Sequence, residues 1–116
     1  MNTDRELLED AAKAAGWVSW DWLAGDGTLN VYDVDGRHAL FSPLTDDGDA
    51  LRLAVKLDIE IYQGDDDGPS VYAGYWGKPE RRDVTRMFCI ELLEPDPYAA
   101  TRRAIVRAAA AIGAAK

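Results

Sequence analysis

The stretch Ser42-Pro43-Leu44-Thr45-Asp46-Asp47-Gly48-Asp49-Ala50-Leu51-Arg52-Leu53-Ala54-Val55-Lys56-Leu57 decides the fold, because it predicts a capped amphipathic helix in the middle of the chain. A Pro-containing turn leads into it, and Pro43 stops the strand that precedes it. Asp46, Asp47 and Asp49 stand where the helix dipole favours negative charge. The helical period then predicts a buried apolar stripe, made of Ala50, Leu51, Ala54, Val55 and Leu57.

Two further helices flank this segment at the two ends of the chain. Thr3 and Glu6 have the spacing of a capping box, and Gly16 is placed to end the helix that they start. Near the other end, Asp96 is a good N-cap, and Gly113 is placed to end the last helix. The sequence therefore predicts an N-terminal, a middle and a C-terminal helix.

Alternating apolar residues predict three strands before the middle helix and three after it. Asp35-Gly36 is typical of a two-residue hairpin turn with positive φ at both positions. Residues 87–90 are apolar on both faces, which predicts a central strand covered on both sides. The predicted strands span residues 17–23, 28–34, 37–41, 59–62, 70–76 and 83–93.

These elements predict one α+β domain over residues 1–116, in the order α-β-β-β-α-β-β-β-α. A strand that is apolar on both faces needs a second covering layer. We therefore expect a mostly antiparallel β-sheet with helices packed on both faces, which is an α-β-α sandwich.

The composition restricts the class of protein. The chain has 116 residues, of which 47% are hydrophobic, as is typical of a folded domain. No apolar run approaches the roughly 18 residues of a membrane helix, and the polar, acidic start predicts no secretion signal. The single cysteine excludes an internal disulfide and a multi-cysteine metal site. We expect a cytoplasmic protein that binds no membrane.

The charge balance has two interpretations. The 13 basic and 21 acidic side chains give a formal net charge of −8. A surface this negative repels phosphates, so we expect no direct nucleic-acid binding. The charge either keeps the protein soluble or allows it to imitate a nucleic acid in the basic groove of another protein.

The residue types that catalyse reactions occur in contexts that predict no active site. His38 is the only histidine, lies beside a turn, and has no local Ser-His-Asp arrangement. Cys89 lies among apolar neighbours, where a small buried side chain is expected rather than a reactive thiol. We therefore expect a protein that is not an enzyme and that needs no cofactor.

Two acidic loops have a faint similarity to calcium-binding loops. An EF-hand loop carries a bidentate Glu at position twelve. Counting from Asp33 that position is Leu44, and counting from Asp65 it is Trp76. The sequence therefore predicts solvated loops and no metal site.

Five short motifs are spread over most of the chain: Gly16-Trp17, Ser42-Pro43-Leu44-Thr45-Asp46, residues 50–57, Cys89-Ile90 and residues 96–106. Together they resemble the phage ABA-sandwich proteins, which are small proteins of bacterial viruses and prophages built from a helix layer, a sheet and a second helix layer. The chain departs from that pattern in its long acidic segment 64–69. The resemblance implies phage or prophage origin, the host bacterial cytoplasm as location, and no catalytic residues to carry over.

These observations favour a small acidic protein that acts by binding a host or phage protein. One form of this hypothesis is an inhibitor of host defence, such as an anti-CRISPR protein or a nucleic-acid mimic. Two alternatives remain open: a structural or self-assembling phage accessory protein that forms homo-oligomers, and a small-molecule-binding protein. Tryptophans are common in protein interfaces. Exposed acidic side chains are common where a protein binds a basic partner. The candidate interaction residues are Trp22, Trp76, Asp65, Asp66 and Asp67.

Overall fold

The computed structural model describes residues 3–23, 27–65, 68–76 and 86–115. Its helices and strands follow the order α-β-β-β-α-β-β-β-α, which confirms the predicted order and the α+β class. The elements are α1 (Asp4–Ala14), β1 (Ser19–Leu23), β2 (Thr28–Tyr32), β3 (His38–Phe41), α2 (Asp47–Lys56), β4 (Glu60–Gly64), β5 (Ser70–Trp76), β6 (Arg86–Leu92) and α3 (Pro97–Ala114).

The strands form two antiparallel sheets of three strands, in the orders β1-β2-β3 and β4-β5-β6. In the first sheet Trp20 pairs with Val31, and in the second Tyr62 pairs with Tyr72. The expectation of a single sheet is wrong, because the six strands form two separate sheets. Short connections make each group of three strands its own meander, and α2 separates the two groups along the chain.

The ends of α1 are set by local sequence. The Thr3 hydroxyl accepts a hydrogen bond from the Glu6 backbone N–H, and the Glu6 carboxylate accepts one from the Thr3 N–H, so the predicted capping box is confirmed. Gly16 has a φ of 96°. The Trp17 N–H donates to the Ala12 carbonyl at 3.1 Å, which closes the helix as a Schellman motif.

The start of α2 is fixed by two carboxylates. Asp46 is the N-cap and accepts a hydrogen bond from the Asp49 N–H at 2.8 Å. Asp49 in turn accepts from the Ser42 N–H at 2.9 Å. This arrangement holds the turn around Pro43, which is buried, against the first turn of the helix.

The buried stripe of α2 differs from the predicted one. Ala50, Leu53 and Ala54 are buried, whereas Leu51 is 64% exposed and Val55 is 74% exposed. The helix is therefore rotated relative to the expected stripe. It packs against α3, and Leu51 and Val55 lie on its solvent side.

The longest helix, α3, lies at the centre of the packing and contacts α1, α2, β5 and β6. Gly113 does not end it, because the helix continues to Ala114. A Cβ at Gly113 would overlap the Asp10 carbonyl oxygen and lie 3.2 Å from the Ala14 nitrogen. Glycine is needed there because α1 and α3 approach each other closely, not because the helix must stop.

The connection between β2 and β3 is longer than the predicted two-residue turn. Residues 33–37 form the loop, and only Gly36 within it has a positive φ. The Asp33 carboxylate accepts hydrogen bonds from the Asp35 and Arg37 N–H groups, at 2.9 and 3.0 Å. These side-chain bonds add to a backbone turn, in which the Gly36 N–H donates to the Asp33 carbonyl at 3.1 Å.

Within the described ranges, no helix combines the length and apolarity that a membrane crossing requires.

Candidate functional site

The second sheet has one covered face and one open face. On the covered face, Val71, Ala73 and Cys89 are buried beneath α3. On the opposite face, Phe88 is 48% exposed and Leu92 is 55% exposed. We define the open face by its apolar side chains, which are Tyr62, Tyr72, Trp76, Phe88, Ile90 and Leu92.

This geometry corrects the sequence-based interpretation of residues 87–90. The run is apolar on both faces, but β6 lies at the edge of its sheet and α3 covers only one of those faces. The other face is exposed to solvent through Phe88 and Ile90. A strand that is apolar on both faces therefore marks a surface that the chain itself leaves uncovered.

The open face presents an apolar patch as large as the largest one on a typical soluble monomer. Tyr62, Phe88, Ile90 and Leu92 are each between 43% and 55% exposed. A large apolar side chain offers about 150–250 Å² of surface, so these four present roughly 350 Å² together. Patches of this extent on soluble proteins are commonly functional.

Two glycines allow aromatic rings to gather on this face. The register places Gly74 between Glu60 and Phe88, so no side chain of β5 separates Phe88 from Tyr62. The Tyr62 and Phe88 ring centroids lie 6.2 Å apart, and those of Tyr72 and Phe88 lie 6.3 Å apart. Both distances are within the range of favourable tilted ring contacts.

The second glycine opens a cleft at one end of the aromatic cluster. A Cβ at Gly64 would overlap Cε1 of the Tyr72 ring and lie 3.1 Å from its Cζ. The ring therefore lies directly over the Gly64 backbone. The cleft has a volume of about 340 Å³ and is lined by Tyr62, Gln63, Gly64, Asp65, Tyr72 and Phe88.

The structure separates the candidate interaction residues. Trp76 lies half-buried on the open face, and Asp65 lines the cleft. Trp22 faces the core from the first sheet, with the Arg5 guanidinium carbon 5.7 Å from its ring centroid. Asp66 and Asp67 lie outside the described residues. Sequence reasoning missed Phe88, Ile90 and Leu92 as surface residues, although the apolar run in β6 was their signal.

A second cleft, of about 350 Å³, lies between β3 and α2 and includes Trp17 and Phe41 in its lining. Two of its three charged lining side chains, Asp49 and Arg52, already bind each other. Arg52 is 2.5 Å from the Asp49 carboxylate, whose other oxygen accepts from the Ser42 N–H. These contacts stabilise the start of α2, so we assign this cleft a structural role.

The outer face of the first sheet carries a short chain of polar side chains. The Asn30 amide donates to the Tyr32 hydroxyl at 2.9 Å, and this hydroxyl donates to the Asp21 carboxylate at 3.0 Å. The bond to Asp21 raises the pKa of Tyr32, so the phenol stays protonated and neutral. His38 is exposed, with its ring 6.1 Å from that of Tyr32. This set lacks an activated base.

Cys89 is predicted to react slowly with alkylating reagents. Its side chain is buried beneath α3, and this burial raises the pKa of the thiol. Because the thiolate is the reactive form, we expect iodoacetamide at pH 8 to modify the folded protein at least tenfold more slowly than the urea-unfolded protein. Mass spectrometry over time measures both rates. Equal rates would contradict the buried placement of Cys89.

Within the ranges that the structure describes, no three His, Cys, Asp or Glu side chains lie close enough together to hold a metal ion. We take the open face as the candidate site, because it combines exposed aromatic side chains with one carboxylate-bearing cleft. A search with this chain against protein-family models, curated proteins and solved structures finds no match.

Proposed function

We propose that this chain is a non-enzymatic protein that binds another protein through the open face of the β4-β5-β6 sheet. The observation that carries the proposal is that α3 covers one face of this sheet, while Phe88, Ile90 and Leu92 lie about half exposed on the other. Leaving such side chains in water has a free-energy cost that a bound partner removes.

The size and composition of this surface support a protein partner. A standard interface covers about 800 Å² on each partner, of which about 450 Å² is apolar. The roughly 350 Å² offered by four side chains of the open face is most of that apolar part. Aromatic side chains at the centre of an interface commonly carry most of its binding energy. Phe88 contacts both Tyr62 and Tyr72 and holds that central position.

The distribution of acidic groups favours apolar binding over nucleic-acid mimicry. Several carboxylates are paired with arginines, as in Arg103–Asp4 at 2.9 Å and Arg102–Asp47 at 2.6 Å. Others lie on the outer face of the first sheet and in its β2–β3 loop, whereas Glu60 and Asp65 lie on or beside the open face. A protein that mimics nucleic acid needs its acidic groups arranged along one surface. The resemblance to phage proteins supports a host protein as the partner.

The test compares two substitutions of exposed side chains, one on each sheet. Phe88→Ser removes the central ring of the open face, and Leu40→Ser removes a side chain that is 65% exposed on the first sheet. Tagged wild-type and variant proteins are incubated with bacterial host lysate, and retained proteins are quantified by mass spectrometry. We expect F88S to retain at least tenfold less partner, a loss of about 1.4 kcal/mol, and L40S less than twofold less.

Circular dichroism spectra and urea midpoints are to be measured as the check that both variants fold. Equal retention by wild type and F88S would refute binding through the open face. If only the protein itself is retained and sedimentation gives twice the monomer mass, the result would support self-assembly instead of binding to a host partner.

A further inference from the structure

One end of the open face combines aromatic rings with a carboxylate. Tyr62, Tyr72 and Phe88 line the cleft of about 340 Å³, and Asp65 lies at its rim, directly after β4. Asp65 is exposed, and its carboxylate has neither a hydrogen-bond nor an ion-pair partner within the part of the chain that the structure describes. The cleft therefore offers flat aromatic surfaces beside a negative charge.

A second carboxylate adds to the negative potential on the same face. Glu60 points to the open face, since it shares the alternation of Tyr62 and Gly64, and it accepts a hydrogen bond from the Tyr62 hydroxyl. No described basic side chain lines the cleft.

This combination selects a cation that also has a flat apolar surface. A guanidinium group stacks on aromatic faces and forms paired hydrogen bonds with a carboxylate, whereas an ammonium group is a compact and strongly hydrated charge. An aliphatic side chain would use the rings but leave the carboxylate without a partner. An acidic side chain would be repelled.

We propose that the cleft binds an arginine side chain of the partner protein, with its guanidinium stacked on Tyr62 or Tyr72 and bonded to Asp65. The proposal rests on the proposed function, because it names the group that the partner brings to one end of the open face. The apolar part of that face then contacts the residues that flank the arginine.

The test uses N-acetyl-arginine methylamide as the probe and N-acetyl-citrulline methylamide as its neutral analogue of the same shape. Both are titrated into ¹⁵N-labelled protein, and amide shifts are followed by NMR. We expect millimolar binding of the arginine probe, with the largest shifts at Gly64 and Asp65, and at least fivefold weaker binding of the citrulline probe. Raising the salt concentration should weaken the arginine binding only in part, since the ring contacts are not screened.

Two variants and one matched control locate the binding. Asp65→Asn removes the charge, and we expect it to reduce the affinity for the arginine probe at least threefold. Gly64→Ala displaces the Tyr72 ring, and we expect a similar loss. Asp35→Asn makes the same charge change in the exposed β2–β3 loop, and it should leave the affinity unchanged.

Equal affinity for the arginine and citrulline probes would overturn the proposal. Equal losses of affinity for the arginine probe in D65N and D35N would also overturn it, because they would indicate general attraction to an acidic protein. These failures are separable from a failure of the proposed function. If the arginine probe does not bind but F88S still loses the partner, the open face binds proteins without an arginine in the cleft.

Discussion

Replacing Gly113 with alanine is expected to lower the free energy of unfolding by about 3 kcal/mol, because the new Cβ would overlap the backbone of α1. Its nearest neighbours are the carbonyl group of Asp10, with the carbon at 2.8 Å, and the Ala14 nitrogen at 3.2 Å. These are backbone atoms of a packed helix and can only move together. Urea unfolding followed by circular dichroism measures the loss.

The matched control is Gly48→Ala in α2. There a Cβ would meet the end of the Arg52 side chain at 3.2 Å, which can rotate away, and the Asp46 carboxylate at 3.3 Å, which needs to shift by only a few tenths of an ångström. Alanine also favours a helix over glycine by up to about 1 kcal/mol. We therefore expect G48A to be neutral or slightly stabilising. A loss below about 1 kcal/mol in G113A would show that α1 and α3 are not in such close contact.

Replacing Leu8 with alanine is the second substitution with a large expected effect. Leu8 is fully buried on α1 within the main hydrophobic core. Removing its three outer carbon atoms loses apolar burial and leaves a cavity, so we expect the free energy of unfolding to fall by about 3–4 kcal/mol. Thermal or urea unfolding measures the change.

Leu51→Ala is the control for this experiment, because it makes the same chemical change on a helix residue that is 64% exposed. We expect a change below about 0.5 kcal/mol. If the L8A and L51A losses were similar, the assignment of the α1 face that enters the core would be wrong.

Local features of the structure could be predicted from the sequence because their signals are local. The capping groups Thr3, Asp46 and Asp96 each bond to backbone N–H groups two or three residues away, and a short motif contains all the participants. The strands follow from alternation in the same way. Such signals gave the order of elements and the α+β class.

Contacts between distant segments could not be predicted in this way. Gly113 has the expected position of a helix-ending glycine, and only the approach of Asp10, about a hundred residues earlier, explains it. The division into two sheets likewise depends on which strands pair, which a single sequence does not encode by spacing.

The candidate site could be predicted in part for the same reason. Asp65 and Trp76 stood out by residue type and position, and both lie on or beside the open face. The sequence predicts a covered strand at Phe88 and Ile90, because apolar residues on both faces of a strand have the same pattern whether a helix or a partner protein covers the second face. Only the three-dimensional arrangement separates these two cases.

The most direct test of the central proposal is site-specific photocrosslinking from the open face. A benzoylphenylalanine residue replaces Phe88 in one protein and Leu40 in a second, and both are irradiated in bacterial host lysate. We expect one crosslinked host protein from position 88, and we expect that protein to be absent from the adducts of position 40. Identical adducts from both positions, or no adduct from position 88, would contradict the proposal that this protein binds its partner through the open face.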